Sequence, residues 1–94
     1  MENKQLHAIV EGHVQGVGFR YFVVEKAHNL KLTGWVRNRF DGAVEVVAEG
    51  KPSDLEELLG FLNDGPSGSH VIDVTSEWLP AQNTFTLFSI RHSE

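Results

Sequence analysis

The apolar residues of this chain switch back and forth between the two-residue period of a strand and the 3.6-residue period of a helix, and that succession constrains the fold more than any single residue. Leu6 to Val10, a short apolar run bounded by Gly12, predicts a buried strand, and a glycine-rich turn follows it. From Phe19 the apolar residues Phe22, Val23, Ala27 and Leu30 recur at three- and four-residue steps, which predicts an amphipathic helix ending near Asn29 and Leu30. Leu32 to Phe40 and Ala43 to Glu49 flank Asp41-Gly42, a pair that adopts positive φ readily, so these segments predict an antiparallel hairpin with a two-residue turn. Gly50 and Pro52 break the sheet. Leu55, Leu58, Leu59 and Leu62 then mark a second helix, acidic at its start through Asp54, Glu56 and Glu57 and stopping around Asn63-Asp64-Gly65-Pro66. Val71 to Trp78 and Thr84 to Ile90 alternate as the last strands.

The element order is therefore βαββαββ. Each helix must bury its apolar stripe, and the compact solution places both on one face of a mainly antiparallel sheet, a two-layer α+β sandwich of the ferredoxin-like kind. Dividing 94 residues would leave pieces too small to bury a core, so a single domain over residues 1–94 is expected. With 40% hydrophobic and 22% charged residues the composition is that of an ordinary globular chain. No apolar run approaches the roughly 20 residues of a membrane span, and the opening MENKQLHAIVEGH lacks the apolar stretch of a secretory signal. A cytoplasmic protein with no membrane association, acting as a monomer, is the expectation. The chain has no cysteine, which excludes disulfides, thiolate metal sites and a cysteine nucleophile. A net charge of -5 disfavours nucleic acid as a partner, because such surfaces need many phosphate-neutralising cations.

A single local anion pocket is compatible with that charge, and the stretch VEGHVQGVGFR, Val10 to Arg20, has the parts for one. Gly16 and Gly18 allow the backbone to turn its N–H groups inward, and the start of a helix adds free donors and positive potential. Arg20 supplies a cationic fork that matches two phosphate oxygens. Val14 to Arg20 contains no Cys, Ser, Thr, Asp or Glu that could form a phospho-enzyme, and His13 is the one nucleophilic side chain nearby. A phosphate cradle without a nucleophile suggests direct attack by water, and water needs a group to orient it. Asn38 is a candidate, since strand parity sets it with Gly34, Val36 and Phe40 and opposite Trp35, Arg37 and Arg39. A neutral amide among apolar neighbours can accept from water and donate to an oxygen. The plainer reading, that Asn38 ends a strand before the turn, stays open on these grounds alone.

Two segments together, VEGHVQGVGFR at Val10 to Arg20 and GWVRNRFDGAVEVVAEG at Gly34 to Gly50, closely resemble the signatures of the acylphosphatase family. The resemblance implies a ferredoxin-like fold and hydrolysis of small acyl phosphates by water, with no metal and no cofactor. It matches Arg20 to the phosphate-binding arginine and Asn38 to the water-positioning asparagine. The backbone amides of Gln15, Gly16, Val17, Gly18, Phe19 and Arg20 match the phosphate cradle, with no role implied for the side chain of Gln15. The sequence departs from the family pattern near its end, where Thr84 and Leu87 stand at places that commonly hold glycine and His92 follows Arg91.

Other residues receive structural readings. Arg37, Arg39 and Arg91 are expected as solvated or ion-paired groups, Glu45 and Glu49 as an exposed strand face, and Phe19, Phe22, Trp35, Phe61 and Trp78 as core. The five histidines show no HxH or HExxH spacing, so no metal site is expected. A non-catalytic ferredoxin-like module that binds phosphate or a small anion and regulates a partner is the alternative function. An RNA-binding sheet of the same topology lacks basic patches and interleaved aromatics.

Overall fold

The computed structural model describes residues 2–94 and contains the elements in the expected order. They are β1 (Lys4–His13), α1 (Phe19–Asn29), β2 (Thr33–Asn38), β3 (Val44–Gly50), α2 (Pro52–Asp64), β4 (His70–Pro80) and β5 (Phe88–Ile90). One five-stranded sheet has the order β4-β1-β3-β2-β5, antiparallel throughout except where β5 runs parallel to β2. Residues opposite one another across the ladders share a face, so Leu6, Ala8 and Val10 line up with Ala48, Val46 and Val44 and then with Gly34, Val36 and Asn38. This face is covered by the helices, whose Phe19, Val23, Ala27, Leu55, Leu58 and Leu62 complete the buried core. Truncating any of the three fully buried leucines of α2 to alanine should cost about 2–5 kcal/mol.

Helix ends follow local chemistry. Pro52 sits in the first turn of α2, where its missing N–H is no loss, and Asp54 faces the positive end of the helix. At the end of α1, Leu32 N–H donates to the carbonyl of Ala27 and Lys31 takes φ 58, a left-handed position that glycine usually fills.

Several expectations are corrected. The β2–β3 connection is not a two-residue turn: Asn38 pairs with Val44, Arg39 N–H donates to Ala43 O, and Phe40, Asp41 and Gly42 form a three-residue loop. Only Gly42 has positive φ there, whereas both favoured two-residue turns need it at the first central position, here Asp41. Phe40 is consequently 84% exposed at the tip. The last strand is shorter than Thr84 to Ile90, because pairing with β2 begins at Phe88. Finally, Glu45 and Glu49 are buried, 8% and 3% exposed, because β3 is the central strand and each carboxylate is covered by partners.

Those partners occupy the face opposite the helices. Glu49 accepts from Gln5 Nε2 at 2.7 Å and from the backbone N–H groups of Gln82 and Asn83 at 2.7 and 3.0 Å, which fastens the segment after β4 onto the sheet. Glu45 lies 2.6 Å from His7 Nε2 and 2.8 Å from Arg37 Nε, and Arg37 also donates to Glu94. Arg37 and Arg91 stack on Trp35, while Arg39 pairs with Asp41. Trp78, expected in the core, lies on the edge strand β4 and is 43% exposed.

Candidate functional site

The turn between β1 and α1 is anchored by side chains and open along its backbone. Val14 and Phe19 are buried and Val17 packs against the core, which pins the loop at both ends and in the middle. Gly16 and Gly18 between them have φ 75 and 77, and a Cβ at either would meet nothing within 4 Å. Glycine is required here by backbone conformation, not by crowding. Gly18 is also the N-cap of α1 and offers no side chain to cap it.

From Gln15 to Tyr21 no backbone N–H donates to another backbone group among the described residues; the first such bond is Phe22 N–H to Gly18 O. Orphan N–H groups of a loop and a helix start, clustered in this way, form a site of positive potential suited to an anion. Arg20 lies in the first turn of α1 and, among the described residues, forms no salt bridge. Its side chain borders a cleft of about 640 Å³ together with Ile90, Arg91, His92, Ser93 and Glu94.

Asn38 is the last residue of β2 and lies on the helix-covered face. Its Oδ1 is buried and has no hydrogen-bond partner, an unusual state for a buried acceptor. Its backbone is fixed on both sides, by the pairing with Val44 and by Glu94 N–H donating to Asn38 O at 3.2 Å. That second bond continues the line begun by Arg91 N–H on Val36 O, so the chain after β5 runs along β2 and forms the cleft wall facing Arg20.

The sheet brings the two segments to the same end of the molecule. Val10 of β1 pairs with Val44 of β3, which pairs with Asn38 of β2, a span of two strand spacings, or about 10 Å. Beyond Val10 the loop closes the remaining gap. Gln15 Nε2 donates to Arg39 O at 2.7 Å and to Ala43 O at 2.9 Å, reaching the residue next to Asn38. Nothing local in the sequence signals these bonds, since the partners stand 24 and 28 residues away.

Charge in the hairpin is held by short-range bonds. The backbone N–H of Ala43, and then Arg39, hold the Asp41 carboxyl below the usual carboxylate range. Burial alone would push Glu45 up, but its hydrogen bonds and charge pairing with His7 and Arg37 outweigh this and hold it lowered. His13 is exposed at the end of β1, and no three His, Cys, Asp or Glu side chains gather as metal ligands among the described residues. No helix among them is long and apolar enough to cross a membrane.

The sequence profile of the acylphosphatase family matches residues 6–90. An acylphosphatase of Marinobacter nauticus is 46% identical over 86 residues, covering 92% of this chain and 94% of its own. One from Bacillus licheniformis is 48% identical over 88 residues, covering 94% and 98%. The crystal structure of acylphosphatase from Bacillus subtilis superposes with a TM-score of 0.91 at 42% identity, covering 94% of this chain and 98% of that one. With sequence, length and fold in agreement, the chain belongs to the acylphosphatase family, whose reaction is the hydrolysis of small acyl phosphates.

Proposed function

We propose that the phosphate of the substrate sits in the Gln15–Arg20 loop, that Arg20 holds two of its oxygens, and that Asn38 holds the water that attacks phosphorus. The reading is carried by the buried, unpartnered Oδ1 of Asn38, an acceptor with the capacity to take a hydrogen bond from water. Attack forms a bond from the water oxygen to phosphorus as the bond from phosphorus to the carboxyl oxygen breaks in line with it. Carboxylate and inorganic phosphate are the products. The loop N–H groups and the Arg20 guanidinium stabilise the charge on the equatorial oxygens. The leaving carboxylate carries its negative charge well, so no general acid is needed to protonate it. We read the chain as a monomer acting in the cytoplasm, a setting compatible with its lack of cysteine.

Hydrolysis of benzoyl phosphate by wild type and Asn38→Ala, both treated exhaustively with EDTA, tests the reading. Wild type is expected to turn over, and Asn38→Ala to lose turnover while inorganic phosphate still binds. Turnover in Asn38→Ala close to wild type, or a wild-type enzyme that works only after magnesium is restored, refutes it. Phosphate binding with no hydrolysis by wild type would instead identify a binding module.

A further inference from the structure

Gln15 contributes its backbone to the cradle, yet its side chain is committed elsewhere. Both hydrogens of the carboxamide are used, one on Arg39 O and one on Ala43 O. These carbonyls close the β2–β3 loop and already have partners of their own, because Gly42 N–H donates to Arg39 O and Arg39 N–H to Ala43 O. The carboxamide therefore rescues no orphaned acceptor; it grips a turn that is already built. The β1–β3 ladder ends at Val10 with Val44, short of the loop, and the β2–β3 ladder ends at Asn38. Among the described side-chain hydrogen bonds, those of Gln15 alone join the cradle to the β2–β3 loop.

We infer that Gln15 is a positioning residue that fixes the phosphate cradle relative to Asn38, so that the bound phosphorus and the held water meet in line. The inference rests on the proposed roles of Arg20 and Asn38. In-line attack requires the reacting atoms roughly 3–3.5 Å apart and aligned, and a displacement of about 1 Å can cost on the order of 100-fold in rate. Cradle and water holder stand on different strands with a third between them, so the sheet sets their separation as far as Val10 and Asn38, and beyond it the core anchors of the loop and the Gln15 bonds set the rest. Phosphate binding depends on the cradle alone, whereas turnover depends on both parts. Loss of the Gln15 bonds should then lower kcat and leave phosphate affinity nearly intact.

The test compares Gln15→Ala, Gln15→Glu and the shorter carboxamide Gln15→Asn with wild type, reading kcat and KM for benzoyl phosphate, inhibition by inorganic phosphate, and Tm. Gln15→Glu keeps the shape but presents a carboxylate to two carbonyls. Expected is a fall in kcat of roughly 10- to 100-fold for Gln15→Ala and Gln15→Glu, with inhibition by phosphate changed less than about 3-fold. Part of the lost rate should return in Gln15→Glu as pH is lowered and the introduced carboxyl gains a proton to donate. An unchanged kcat, or a parallel loss of kcat and phosphate affinity, overturns the inference. Should either larger change prevent folding, Gln15→Asn decides the matter by the same split between kcat and phosphate inhibition. Asn38→Ala is assayed alongside: if it keeps turnover, the proposed function fails, and if it loses turnover while Gln15→Ala keeps kcat, only the positioning role fails.

Discussion

The cradle end of the molecule and the sheet face opposite the helices both carry polar groups, and they treat them in opposite ways. On the open face the buried carboxylates are matched: Glu49 has three donors, Glu45 has His7 and Arg37, and Arg37 has Glu94 besides. At the cradle the backbone N–H groups from Gln15 to Arg20 and the buried Oδ1 of Asn38 have no such partner among the described residues, and Arg20 has no ion pair. Leaving a buried polar group unpaired costs free energy, of the order of 1–3 kcal/mol, whereas a paired one is near neutral or favourable. On the proposed function, the contrast separates groups that hold the fold together from groups held ready for the substrate and water. It is a sharper guide than polarity alone, because the open face is the more highly charged of the two.

The contrast can be broken experimentally. At the cradle, Arg20→Ala should cut turnover by roughly 100- to 1000-fold and leave the urea midpoint nearly where it was, since it breaks no ion pair. Asn38→Ala should do similar damage to turnover and leave stability unchanged or slightly raised, because it deletes a buried acceptor with no partner. A large loss of stability in either variant would show that these groups are structural after all. Glu49→Ala should invert the pattern, losing about 3 kcal/mol by urea titration while turnover stays close to wild type. Acid should act through Glu45 on the same face. Its folded pKa lies below its ordinary value of 4.5, so its ionised form stabilises the fold above that value, and the contribution disappears as pH falls through the lower, folded pKa. The fall in Tm between pH 5 and pH 3 should therefore be shallower in Glu45→Gln. The smallest effect lies outside both regions: Lys31→Gly relieves a left-handed lysine and should raise stability by up to about 1 kcal/mol.

Local features were readable from the sequence and relational ones were not. The element order, both helices and the positive-φ loop before α1 follow from spacing and glycine placement, which act within a turn or two of chain; the phosphate-binding role proposed for that loop adds Arg20. Asn38 was readable as a polar residue on an apolar face, but its meaning as water holder depended on the family resemblance. Glu45 and Glu49 alternate as an exposed face would. Their burial comes from β3 being the central strand and from Gln5, His7, Arg37 and the chain at residues 82–83, and no local pattern encodes strand order. Trp78 is displaced from the core for the converse reason, because β4 lies at the sheet's edge. The clamp of Gln15 on Arg39 and Ala43 is the plainest case, as it joins segments that meet only when the fold is complete.

The row Val10, Val44, Asn38 has a consequence for how the chain matures. A slip of one residue between β2 and β3 would turn Asn38 to the open face and present an arginine, Arg37 or Arg39, to the core. Misregistered chains would therefore be both unstable and inactive. Return of activity during refolding thus acts as a clock for assembly of the whole sheet, the register of β2 on β3 together with the pairing of β1 that brings the Gln15–Arg20 loop to it. Because β1 must pair with β3 and with β4, contacts distant in the chain, that clock should run slowly compared with the formation of either helix.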